Sequence, residues 1–158
     1  MDPRLKGVTL ADMREQFALA TQIRDRLSAA NDAVVRIRRI KSAIAQRVAH
    51  AEAADVVGSA TDVAQKLSVV EENLYQVRNR SGQDPLNFPI KLNNRIGALG
   101  RSVSTGEARP TAAAYTVYRE LSAQLDAELK RLEHVIGTDV EALNRVLAGR
   151  NLDRIRAE

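Results

Sequence analysis

Two imidazoles, a few neighbouring carboxylates and a run of arginines are all that this 158-residue sequence offers to chemistry. His50 and His134 are the only histidines. Neither lies in an HExxH motif, and neither has a Glu three residues before it, the spacing with which carboxylate bundles hold iron. With no cysteine to supply a thiolate, neither a metal site nor any other cofactor is expected. Glu71-Glu72 and the Asp126 and Glu128 pair could do acid and base work only in a cleft that perturbs their pKa values. On helices such pairs are routinely a solvated face. No glycine-rich loop matches a phosphate cradle, so the residues predict no catalysis by this chain. Glu72-Asn73-Leu74-Tyr75-Gln76 approximates a tag-protease sequence, but it lacks the Phe between Tyr and Gln.

The arginines are the stronger signal. Residues 1–50 carry ten Lys and Arg against five Asp and Glu, whereas residues 51–100 carry five against six and residues 101–158 nine against nine. The net charge of +4 therefore originates in the first third. Arg36, Arg39 and Arg47 fall on one helical stripe at spacings of three and eight. Such a stripe could hold an anionic polymer or dock an acidic partner. Aromatics make up only 3% of the chain, and neither they nor a recognition element accompany the stripe, so nucleic acid is not the expected partner and a solvated face is the default reading.

The elements that position these residues are all helical. Apolar residues recur at spacings of three and four along nearly the whole chain, and at 44% hydrophobic with no Trp the interior must be aliphatic. Four helices are expected, over about 10–52, 60–81, 89–104 and 110–148, in a single domain spanning 1–158. Thr9 with Asp12 starts the first, whose seam is Leu10, Met13, Phe17, Ala20, Ile23, Leu27, Ala30, Val34, Ile37, Ile44 and Val48. A turn from Asp55 to Gly58 precedes a cap at Ser59 or Thr61 and a seam through Val63, Leu67, Val70, Leu74 and Val77. The prolines of Asp84-Pro85-Leu86-Asn87-Phe88-Pro89 interrupt the helical run. Beyond them Asn87 can cap, Pro89 can fill a first turn and Phe88 can staple onto Leu92.

Gly97 and Gly100 are expected to admit a neighbouring backbone. The last helix opens at Arg109-Pro110-Thr111 and kinks at Gly137, where Thr138 to Glu141 reads as a capping box, and the tail from Gly149 is expected to fray. The outer helices would span roughly 60 Å and the middle two roughly 30 and 25 Å. Those lengths predict an elongated up-down-up three-helix bundle with a broken middle arm. A compact four-helix bundle, with the first helix bent near Asn31, is the alternative. No stretch of about 18 apolar residues would span a bilayer, and Met1-Asp2-Pro3-Arg4 does not lead into a signal-peptide core. A homodimer zipped along Val35 and Ile40 is a further expectation.

Asp84-Pro85-Leu86-Asn87-Phe88-Pro89-Ile90-Lys91-Leu92-Asn93-Asn94-Arg95-Ile96 resembles a stretch in the C-terminal helical region of large bacterial sortilin-like proteins, labelled glycosyl hydrolases with BNR or Asp-box repeats. The similarity extends to Arg109-Pro110-Thr111, to Tyr115 through Asp126, and to Thr138-Asp139 followed by Leu143-Asn144. Met1 to Arg4 looks like the junction with a preceding sandwich domain. Val140-Glu141 departs from the family's Leu-Pro pair, and Gly97 and Gly100 replace more helix-friendly residues. The resemblance implies a non-catalytic accessory module at the helical end of a β-propeller protein. Its partners would be the propeller and sandwich domains of its own parent chain, its compartment secreted or periplasmic, and any catalytic carboxylates would lie elsewhere. The elbow formed by Asn87, Phe88, Pro89, Asn93 and Asn94 would position the arm.

Overall fold

A computed structural model describes residues 7–49 and 53–157, and it is all-helical among those residues. His50, the Met1 to Arg4 junction and the last residues of the expected first helix lie outside them. Helix α1, Leu10–Val48, is unbroken, and at 1.5 Å per residue its 39 residues run about 58 Å. It starts as the sequence predicts. Thr9 Oγ1 accepts from the Asp12 amide at 3.2 Å, and the Asp12 carboxylate accepts from the Thr9 amide at 2.9 Å.

Helices α2, Ala54–Leu74, and α3, Leu92–Val103, stack end to end as one descending column beside α1. The pairings run in order down the molecule. Glu71 meets Arg38 and Lys41, Asn93 meets Asn31, and Gln16 reaches the Val103 carbonyl. Helix α4, Ala112–His134, then rises parallel to α1, with Arg109 on Glu15, Arg26 on Asp126 and Arg36 on Glu133. A π-helical segment, Val135–Val140, joins it to α5, Glu141–Ala148. This is the up-down-up bundle with a broken middle arm. Asn31 does not interrupt α1.

One aliphatic core threads the three columns, from Leu19, Ile23, Ile37 and Ile40 of α1 through Val63, Leu67 and Leu74 of α2 and Ile96 of α3 to Leu125, Leu132, Leu143 and Leu147. Burial of each such side chain is worth about 1.5 to 3 kcal/mol. The α1 seam is narrower than expected at its start: Leu10 and Phe17 face solvent, Phe17 at 73% exposure, and Leu19 takes the inward position. Ile40 is fully buried within the chain. It cannot form a dimer zipper with Val35.

The element boundaries differ from the expected ones for identifiable reasons. Asp55 to Gly58 is helix, not turn, because Val56 and Ala60 are buried and the helix must start early enough to bring them inward. No side chain caps it, so Ser59 and Thr61 are not caps. Gly58 costs about 1 kcal/mol of propensity, which the burial of Val56 outweighs. Helix α2 stops at Leu74, where Tyr75 turns extended and its ring packs 4.9 Å beneath the Arg38 guanidinium, leaving Val77 exposed. Thr111 caps α4, with Pro110 just outside it. Thr138 to Glu141 is no capping box: the π-helical backbone runs through it without a side-chain cap, and Asp139 is drawn instead to Lys66 at 2.7 Å. The extra residue of a π turn keeps Ile136, Val140 and Leu143 inward without a break in the rod.

The glycines of α3 meet a side chain rather than a backbone. A Cβ on Gly100 would lie 3.3 Å from Ile23 Cγ2, and one on Gly97 3.7 Å from Leu27 Cδ2. The tail does not fray either. Beyond a left-handed Asn151, with φ of 56°, it folds back, half-buries Leu152 and buries Ile155 to 2% exposure.

Candidate functional site

The basic stripe is largely spent within the molecule. Arg36 donates to the Ala157 carbonyl at 2.6 Å and pairs with Glu133. Arg47 donates to the Asp153 carbonyl at 3.1 Å and lies 3.7 Å from its carboxylate. Arg39 alone is exposed and makes no ion pair among the described residues. Helical spacing identified a shared face, but it could not show that the returning tail and α4 occupy one edge of that face.

The elbow between α2 and α3 is a closed loop. Gln76 is buried, its Nε2 donates to the Pro89 carbonyl at 2.8 Å, and its Oε1 accepts from the Arg78 amide at 3.2 Å, so one side chain ties the loop's two ends together. Asp84 organises the far side by accepting from the amides of Arg80 and Ser81 and from the Ser81 hydroxyl. Those hydrogen bonds hold its carboxyl below the usual range. The turn Asp84–Leu86 is a short 3-10 helix with Asn87 at its C-terminal end.

Helix α3 starts three residues later than expected, with Lys91 at its N-cap and no side-chain cap. Asn87 therefore does not cap it, Pro89 is not in its first turn, and Phe88 is not placed to staple. Phe88 is half-buried with the Arg78 guanidinium 5.9 Å over its ring. Asn93 is buried and donates to Asn31 Oδ1 at 3.3 Å, while its own Oδ1 has no partner. Asn94 is exposed. Leu86 at 87% exposure, Ile90 at 54% and Val77 are left outward. A cavity of about 390 Å³ lies beside Ile90, between it, Lys91 and Arg95 of the arm and Gln124 and Glu128 of α4.

The chemistry-bearing residues do not converge. Glu71 is the buried carboxylate; Arg38 binds it at 2.6 Å and Lys41 at 3.0 Å. Burial pushes its carboxyl up, but the hydrogen bonds from those two cations outweigh it and leave the pKa below its ordinary value. Glu72 is exposed, Glu128 receives Asn73, and Asp126 pairs with Arg26. His134 is exposed at the end of α4. Among the described residues no three His, Asp or Glu side chains are grouped to hold a metal ion, and no helix is long and apolar enough to cross a membrane. No protein-family model, curated protein or solved structure matches the chain.

Spacing alone missed Gln16, Gln76 and Asn144, whose amides each read main-chain groups of a neighbouring segment. A signal was present for Gln16 and Asn144, each polar at a position three or four residues from apolar seam residues; Gln76 lies beyond the end of α2 and had none.

Proposed function

We propose that this chain is a non-catalytic helical accessory domain that docks, through the elbow of its middle arm, onto the larger body of a sortilin-like β-propeller protein of the kind named for glycoside hydrolysis. One observation carries the reading. Leu86, Ile90 and Val77 stand outward on a loop pinned by Gln76 and Asp84, although the core has no need of them. A rigid loop presenting aliphatic side chains binds with little ordering cost. The segment Asp84 to Ile96, which resembles the sortilin-like family, includes the exposed Leu86 and Ile90. The resemblance also supports a secreted or periplasmic setting.

The isolated chain should leave aryl glycosides unhydrolysed at concentrations where a glycosidase would be evident. Turnover that co-purifies with it would contradict the reading. The competing reading is an independent adaptor that binds an anionic polymer or acidic partner through Arg36, Arg39 and Arg47. Exposed Arg39 favours it, and the internal partners of Arg36 and Arg47 weigh against it. It predicts binding to a nucleic acid or polyanion that falls steeply with salt and weakens when these arginines become Gln. An absence of binding at low ionic strength removes it.

A further inference from the structure

The returning tail is held in the way a binding groove holds a peptide. Its main-chain groups are read at every second residue: Arg47 takes the Asp153 carbonyl at 3.1 Å, Asn144 takes both groups of Ile155, and Arg36 takes the Ala157 carbonyl at 2.6 Å. Asn144 acts as a neighbouring strand would, its Nδ2 donating to the Ile155 carbonyl at 3.1 Å and its Oδ1 accepting from the Ile155 amide at 2.6 Å. Ile155 alone enters the core, whereas Asp153, Arg154 and Arg156 stay exposed. Main-chain contacts at every second residue are how a segment is read when it is recognised as a strand. Here the edge that reads it is built from helix side chains.

The seat is also incompletely filled. A cavity of about 350 Å³ remains between the tail and α1, bordered by Ala43, Arg47, Asp153, Arg154 and Arg156. Outside the groove, Arg154 reaches Glu141 at 3.0 Å, which adds a preference for a cation just before the aliphatic anchor.

We infer that the groove between α1 and α5 is a binding site for a strand-like segment with one aliphatic anchor preceded by a basic residue, and that residues 152–157 are its exchangeable occupant in cis. The ligand it takes in trans is the same segment of a second copy. Tethering gives the cis segment an effective concentration in the millimolar range, so the wild-type groove is closed to a dilute competitor.

The test uses the full chain carrying Ile155→Asp, which puts a charge at the buried anchor position, a site outside every helix, and a fluorescent peptide of residues 149–157. Anisotropy should rise when this variant is titrated in, with apparent affinity about a hundredfold above that for the wild-type chain. Adding Asn144→Ala should lower it at least tenfold, and a peptide with Asp in place of its own isoleucine should not bind. Any of four results would overturn the proposal: no binding by a still-helical variant, equal binding by wild type, insensitivity to Asn144→Ala, or binding of the anchorless peptide through charge alone. Loss of helicity in Ile155→Asp would do so too, because the tail would then be inseparable core.

Discussion

Glu71 is where the bundle keeps a charge inside, and its two cations make it a pH-dependent clamp between α1 and α2. Its folded pKa lies below the ordinary 4.5, so the clamp's contribution is fully present above that pH and is lost as pH falls below it through the folded value. Chemical denaturation between pH 6 and pH 2 should show stability declining below about pH 4.5, and Glu71→Gln should lower stability at pH 6 while flattening that decline. Asp12, Asp55 and Asp84 are also shifted downward by their hydrogen-bond partners, so a residual slope remains in the variant. The glycines of α3 offer a paired comparison. Gly97→Ala meets only ordinary contacts and should stabilise by about 0.5 to 1 kcal/mol through helix propensity. Gly100→Ala must displace Ile23 from 3.3 Å and should gain less or lose, as read from paired thermal melts.

At the scale of elements, seam position decides what a substitution costs. Leu125 is fully buried, and its change to Ala should cost about 2 to 4 kcal/mol in urea denaturation. Phe17, which shares the helical period but not the core, should tolerate Ser within about 0.5 kcal/mol. Helix number and order were legible because long aliphatic periods and two proline- or glycine-rich breaks leave few alternatives. Ends were less so. Where α2 begins is set by Val56 and Ala60 finding partners, and where α3 begins is set by Gln76 gripping the Pro89 carbonyl. Both are tertiary facts with no local signal. The π-helical segment was half legible: the apolar register continues across Gly137, as a continuous rod requires, but the polar pattern of Thr138 to Glu141 imitates a cap.

The whole molecule is a set of three columns whose aliphatic residues mostly satisfy one another; three outward apolar side chains, Val77, Leu86 and Ile90, lie at the break in the middle arm, while others, Phe17 among them, stand on the helices. That break was legible as an irregular segment from Pro85 and Pro89. Its exposed Leu86 and Ile90 were not, because a staple onto α3 would have turned that stretch inward. The basic stripe was legible as a stripe, but its engagement by the tail was not, since residues 153–157 show no helical or alternating pattern long enough to place them. The most direct measurement is amide hydrogen exchange of this chain, alone and within its full-length gene product. Docking through the elbow predicts slower exchange across residues 76–90 in the full-length protein, with the core helices unchanged. Equal exchange across the elbow in the two states, or a gene product with no adjoining domain to cover it, would contradict the proposed docking role.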